Sequence, residues 1–260
     1  MIKMTKYYIY GTLYNNINRI GYTLDSLSKL EPYKLFVVDN FSNDGSYEYL
    51  INYAKEHNIS LQIVRKKCTR GKGKDMALKM LYESNPNPYD VVFYIDFDVV
   101  YGYKFIDYIK TYKKFYKNVV TTAFGIGIAK LNKDGWKNLN CAEDFERFAR
   151  MKSNGINVFY NPKISYGDKN YLENFLGGDE SKYVKGFRFY LRTYKCWIDM
   201  QRGIAFNSFS DFFNDSRTKS LGRKIVWFTA YIIAKILGEY QYSKSDNRKY
   251  LLGRYKYEPV

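Results

Sequence analysis

Two aspartates, Asp96 and Asp98, close the apolar run VVFYIDFDVV at residues 91–100. Aspartate is depleted in strands, and burying it ionised without a partner costs several kcal/mol, so both charges call for compensation. Residues i and i+2 of a strand point to the same side. Both carboxylates can therefore face one hard cation, Mn²⁺ or Mg²⁺, while Phe97 packs away. For the isolated pair the plainer alternative is a turn or helix cap at Asp98 with Asp96 solvated. Asp39 and Asp44 stand in VVDNFSNDGS, where Asn, Ser and Gly crowd the end of a second strand. A carboxylate there accepts hydrogen bonds from ribose hydroxyls or a base imide, or serves as turn former and N-cap. Asp44 and Ser46 read as structural in either case.

The stretch RGKGKD at 70–75 joins two glycines to Arg70, Lys72 and Lys74 just ahead of a helix, a loop suited to phosphate contact. It lacks the GxxxxGK[ST] spacing of a Walker A loop. His57 is the one histidine and falls on an expected surface helix, so a general base must come from another residue type. Carboxylates are the natural replacement, which singles out Glu143 and Asp144 in CAEDFER, although acids at a helix start also complement its dipole.

The elements that must position these residues alternate. Strands are expected at 7–14, 34–40, 61–66 and 89–98, with helices at 18–30 and 46–57 and a glycine loop leading into a third helix before NPNP. Ile20, Leu24 and Leu27 mark the inward face of the first helix; Tyr49, Leu50, Tyr53 and Ala54 mark that of the second. Such alternation predicts a mostly parallel sheet flanked by helices, with ligands at the carboxyl ends of the strands. Asp39, Asp96 and Asp98 then converge on one rim. Further on, a helix is expected at 104–116, an apolar strand at 118–129, a helix at 141–155 closed by Gly155, and a strand from INVFYNP. After about residue 205 the pattern changes to a loop and one long helix at 221–240, in which Ile225, Phe228, Ile232 and Ile236 follow helical spacing.

The 260 residues, 46% of them hydrophobic, suffice for one large domain or a domain with an appendage. Cys68, Cys141 and Cys196 are an odd number without CxxC spacing, which argues against a disulfide framework or zinc cluster and fits a reducing compartment. No secretory signal is expected, and the longest apolar run, IVWFTAYIIA, is about half the length a bilayer requires. Lys and Arg exceed Asp and Glu by 42 to 26, a net +16 that would attract phosphates, anionic lipid or nucleic acid; compositional bias toward Lys, Asn, Ile and Tyr explains it equally well.

Taken in order, the segments resemble family 2 glycosyltransferases, inverting enzymes of the GT-A (nucleotide-diphospho-sugar transferase) fold. YGTLYNN resembles the first-strand motif ending in Tyr14 and Asn15; VVDNFSNDGSYEYL, RGKGKDMAL and the DxD of YIDFD follow; CAEDFERFARMKSNGINVFYNP resembles the acceptor-side helix and strand. The five segments run over residues 7 to 162. The resemblance implies a catalytic domain at 1–205, its donor half at about 1–100 and its acceptor half at about 101–205, with a helical C-terminal extension at 206–260. It assigns Tyr14, Asn15, Asp39, Arg70, Lys74 and Asp96 to the nucleotide, Asp96 and Asp98 to the metal, and Asp144 to the general base with Glu143 in support. Arg147 or Arg150 would orient the acid or meet a phosphate.

The implied reaction is metal-dependent transfer from a UDP- or GDP-sugar to a lipid-linked, glycan or protein acceptor, with no specific nucleic acid and in the cytoplasm. Contact of helix 221–240 with the cytoplasmic face of a membrane, packing on the catalytic domain and packing on a partner chain all stay open; Trp197 and Trp227 suit any of these surfaces. The chain departs from the family in lacking Pro before Tyr14, in the bulk of Phe97, and in offering Tyr166 and Asp168 where many members have a histidine. It has no QxxRW, which argues against a processive synthase. Alternatives are a sugar-phosphate nucleotidyltransferase and a basic protein that binds single-stranded nucleic acid.

Overall fold

A computed structural model of the chain describes residues 5–115, 118–139, 143–159, 161, 164, 168–174, 191, 194–195, 198 and 221–237. Cys141, Cys196, Tyr166, Trp197 and the expected loop at 206–220 lie outside the described residues. The chain divides into two compact units, residues 1–136 with 156–182, and residues 137–155 with 183–260. The division falls elsewhere than the change of pattern at about 205.

In the first unit, β1 (Tyr7–Leu13), β2 (Lys34–Asp39), β3 (Leu61–Arg65), β4 (Val91–Asp96) and a two-residue β7 (Gly127–Ile128) form a sheet in the order β3-β2-β1-β4-β7. The first four pair in parallel and β7 is antiparallel to β4, so β3 and β7 are the edges. The strands are apolar because both faces are covered: Ile9, Tyr10 and Leu13 of β1, Leu35 to Val38 of β2 and Val91 to Tyr94 of β4 are all buried. Each fully buried aliphatic or aromatic side chain contributes about 1.5–3 kcal/mol to the core.

Between the strands run α1 (Ile17–Ser28), α2 (Ser46–Glu56) and α3 (Arg70–Glu83), which bury Ile20, Leu24 and Leu27, then Leu50, Tyr53 and Ala54, then Ala77, Leu78 and Leu81. Tyr49, expected inward, is exposed, with its hydroxyl over Gly21 of α1.

Two expectations fail for identifiable reasons. RGKGKD is not a loop but the first turns of α3, whose N-cap Thr69 accepts the Lys72 N–H at 3.1 Å. Its glycines serve packing: a Cβ at Gly73 would collide with the Thr12 methyl and stand 3.1 Å from Cys68 Sγ, so glycine lets α3 start hard against β1. The run at 118–129 is not one strand. Phe124 and Gly125 have φ of 55° and 57°, reversing the chain between β6 (Val120–Thr121) and β7. Asn132 Nδ2 ties that turn by donating to the carbonyls of Gly125 and Val92. Two small ladders complete this unit, β5 (Val99–Tyr101) antiparallel to β9 (Leu172–Asn174) and β6 parallel to β8 (Val158–Phe159), and α4 (Tyr103–Phe115) lies between β5 and β6 in the chain.

In the second unit, α5 (Glu143–Ser153) is followed by Gly155 at φ 80°, the left-handed residue that closes a helix. The last helix, α6 (Leu221–Leu237), buries Trp227, Ala230 and Ala234. Of the residues at helical spacing, Ile225, Ile232 and Ile236 are exposed. Among the described residues no helix is long and apolar enough to cross a membrane.

Asp44 caps two helices at once. Its Oδ2 accepts the N–H of Ile17, the first residue of α1, at 3.0 Å, while Oδ1 accepts the N–H and hydroxyl of Ser46 at the start of α2. Burial pushes its pKa up, but the hydrogen bonds from Ser46 and Ile17 outweigh that and hold it below the usual carboxylate range. The stabilisation is therefore complete above about pH 4 and is lost as pH falls through the lowered folded value. Asp44→Ala is expected to cost about 1–2 kcal/mol in urea unfolding at pH 7, and the gap to wild type should narrow toward pH 2.

Candidate active site

The order β3-β2-β1-β4 reverses chain direction of growth between β1 and β4, the switch at which open parallel sheets receive ligands. Register places the acids: Leu13 pairs with Asp39 on one side of β1, and Thr12 pairs with Asp96 on the other. The carboxyl rim of the sheet thus carries one carboxylate on each flank of its central strand.

Asp39 is completely buried. Ser42 donates its N–H to both oxygens at 3.2 Å and its hydroxyl to Oδ1 at 2.5 Å, and Arg65 Nε donates to Oδ2 at 3.0 Å. Burying a carboxylate calls for charged or polar partners, and these bonds supply them. Arg65, the register partner of Asp39 on β3, also donates from Nη2 to the Ser42 carbonyl at 2.6 Å, and its guanidinium lies over the rings of Tyr47 and Phe41. The sequence reading named neither Arg65 nor Ser42. The signal was available: a basic residue ending the third strand of a parallel sheet must lie on the same rim as the acid ending the second.

The loop after β2 is stitched to the loop after β1. Asn15 donates its N–H to Ser42 Oγ at 3.0 Å, and the Asn15 side chain exchanges two 3.0 Å hydrogen bonds with Asn43. Tyr14, immediately before this stitch, is exposed. Tyr14 and Asn15 therefore belong to the same rim as Asp39.

On the other flank, the Lys74 ammonium stands 3.7 Å from Asp96 Oδ1. Its side chain is only 3% exposed, against 35% for Asp96. It also lies over the rings of Tyr94 and Trp136, 4.2 and 4.8 Å from their centroids. Trp136 is fixed by its N–H to Asp75 Oδ1 and by its indole Nε1 to the Tyr10 hydroxyl. A desolvated ammonium gains from both kinds of partner. Lys74 was expected in a phosphate-contacting loop; α3 instead turns it inward, as the counter-ion of Asp96. Arg70 and Lys72 remain exposed on the first turn of α3, and Lys72 pairs with Asp75 at 3.6 Å.

The strand ends at Asp96, so the pleat argument does not extend to Asp98, which stands in the turn to β5 and is half-buried. That turn is held by its backbone. The Tyr101 hydroxyl accepts the Asp96 N–H at 3.1 Å and donates to the Asp96 carbonyl, and the Thr23 hydroxyl donates to the Phe97 carbonyl at 3.1 Å. Phe97 itself is buried, as expected of the middle residue.

In the second unit, α5 carries Glu143, Asp144 and Glu146 in its first turn. Glu143 and Glu146 are buried while Asp144 keeps partial exposure. Arg150 pairs with Glu146 through Nε at 2.8 Å. Arg147 is completely buried, so a phosphate could reach it only if it were uncovered. Asp168, in the first unit, closes a turn by accepting the N–H and side-chain amide of Asn170.

The sequence matches the family described as "Glycosyl transferase family 2" over residues 11–191. No curated protein sequence compared with it matches. Among solved structures, S. aureus TarS 1-349 aligns with a TM-score of 0.55 at 15% identity, covering 88% of this chain and 81% of that one. The same protein in complex with UDP-GlcNAc gives 0.53 at 16% over 88% and 81%, and in complex with UDP 0.54 at 15% over 95% and 86%. At such identities the likeness is one of fold, and it agrees with the mostly parallel sheet and its flanking helices. The family match covers all four parallel strands from Gly11 onward together with both acid flanks of the rim: the chain belongs to glycosyl transferase family 2, and is a glycosyltransferase of GT-A fold.

Proposed function

We propose that the chain transfers a sugar, with inversion, from a UDP- or GDP-sugar to a hydroxyl of a lipid-linked, glycan or protein acceptor. The observation that carries this reading is the pair of cation-backed carboxylates, Asp39 and Asp96, flanking β1 at the point where strand order reverses. TarS, of like fold, has been captured with UDP-GlcNAc and with UDP, which supports a nucleotide-sugar donor.

The donor set at the end of β4 fits a hard divalent ion. Among the described residues no cluster of three or more His, Cys, Asp or Glu could hold a metal. Asp96 and Asp98 provide two carboxylates, the number that Mg²⁺ or Mn²⁺ uses when substrate phosphate and water complete the shell. Bound there, the ion would supply positive charge against the diphosphate leaving group. The protein's own contribution is rigidity: Lys74 fixes Asp96, and Tyr101 and Thr23 fix the backbone that carries both acids.

Asp144 is the general base in this reading. It is the one first-turn acid of α5 that retains exposure, whereas Glu143 and Glu146 are buried. Its carboxylate takes the acceptor hydroxyl proton as that oxygen bonds to the anomeric carbon from the face opposite the diphosphate. The bond from the anomeric carbon to the diphosphate oxygen breaks, and the nucleoside diphosphate leaves with the electron pair.

A lipid-linked acceptor is favoured by α6, which leaves Leu221, Ile225, Ile232 and Ile236 exposed and carries Lys224 and Lys235. An apolar face with basic flanks suits an anionic membrane surface.

Three outcomes are expected. Thermal melts against a panel of nucleotide sugars should show stabilisation by one donor that requires Mn²⁺ or Mg²⁺ and is lost in Asp98→Asn. Stabilisation unaffected by EDTA would contradict metal dependence. Asp144→Asn should keep that donor stabilisation while transfer in a product assay falls by 10²-fold or more, the order of a lost general base. Cosedimentation with phosphatidylglycerol vesicles should fall when Ile225 and Ile232 are both replaced by Asp, with the melting temperature unchanged; equal pelleting would remove the membrane reading.

A further inference from the structure

Phe41 combines a strained backbone with an exposed aromatic ring. Its φ is 57°, a left-handed conformation in which an L side chain crowds the backbone and which glycine or asparagine adopts with less strain. Its ring is 54% exposed, so little hydrophobic burial offsets that strain. The conformation is imposed from both sides. Asn40 donates its N–H to the Leu13 carbonyl at 2.8 Å and accepts the Cys68 N–H on its side chain at 2.9 Å. Ser42 is bound to Asp39 by its N–H and its hydroxyl. The backbone that carries a large aromatic ring is thus fixed at the carboxyl rim, two residues beyond Asp39. The Arg65 guanidinium, itself locked by Asp39 and Ser42, lies 5.4 Å from the ring centroid.

Strain at a residue exposed beside a candidate site points to a ligand that recovers its cost. We propose that the Phe41 ring is the stacking platform for the base of the donor nucleotide, which makes Phe41 a donor-affinity residue of this chain. The inference rests on the nucleotide-sugar reading above and extends it to a named base contact. The ligand chemistry is a planar heterocycle: every nucleobase presents a π-face on which an exposed aromatic ring can stack, and a fixed backbone lowers the cost of ordering that ring. Arg65, fixed against Asp39 with its guanidinium beside the ring, carries N–H donors suited to carbonyl oxygens on the base edge.

The test compares wild type with Phe41→Ala, Phe41→Gly and Phe41→Trp, all at an exposed position, by calorimetric titration with UDP, GDP and inorganic pyrophosphate in the presence of Mn²⁺. Loss of stacking is expected to weaken the better-bound nucleoside diphosphate about tenfold or more in both Ala and Gly variants, and to spare it in Trp. Pyrophosphate, which has no base, should bind all four proteins alike. Without ligand, Phe41→Gly should melt above Phe41→Ala, because only glycine relieves the left-handed strain while both lose the ring. Unchanged nucleotide affinity in the Ala and Gly variants, with wild type binding normally, overturns this inference alone. Parallel loss of nucleotide and pyrophosphate overturns it too, by revealing a merely structural residue. Failure of wild type to bind any nucleoside diphosphate overturns the donor reading and this inference with it.

Discussion

A carboxylate with no exposure to water, at the end of β2, is the constraint around which the rim of the sheet is organised. A carboxyl group buried there needs hydrogen-bond donors and a cation beside it, and the chain brings them from two directions. Ser42 folds the following loop back onto the strand end. Arg65 reaches across from the neighbouring strand, where parallel register sets it opposite the acid. Once those bonds exist, the loop is no longer free to wander: Ser42 receives the Asn15 N–H, and the loop after β1 is fixed by the loop after β2. Local geometry over some thirty residues of sequence thus follows from one buried charge.

The far side of β1 repeats the logic with different parts. Asp96 is partly exposed, and its cation is the more deeply buried member of the pair. Lys74 can occupy that place because aromatic faces from Tyr94 and Trp136 replace water around its ammonium. The two acids therefore differ in what a ligand meets. Around Asp39 the exposed groups are a guanidinium and aromatic rings; around Asp96 it is the carboxylate itself, with its cation beneath.

Much of this was legible in the sequence, and for a physical reason. The strands β1, β2 and β4 are buried on both faces, so they read as unbroken apolar runs, and the acids at their ends stand out against them. The start of α3 was not legible, because glycines in RGKGKD signal a flexible loop unless one knows that Gly73 lies against Thr12, a contact between segments about sixty residues apart. Lys74 changed meaning with it: on a helix it turns inward, and in a loop it would not. The place of Arg65 on the rim was legible from its position at the end of the third strand, but its pairing with Asp39 needed the β2–β3 register, which local sequence does not encode. In α6 apolar residues surround nearly the whole helix, so spacing could not tell which side is covered; the small Ala230 and Ala234 mark the packed side. Glu143 and Asp144, on α5, stood out as carboxylates in a chain with one histidine, and family resemblance then assigned the base to Asp144, since helix-start acids also serve the helix dipole.

The borders of the central sheet have a consequence for the protein as a solute. An unpaired strand is a template on which another chain can add. Here one border, β7, is two residues long, and the other, β3, runs out into Arg65, Lys66 and Lys67, three consecutive exposed bases. Among the described residues, brevity on one side and Lys66 and Lys67 on the other disfavour the addition of a strand from another molecule.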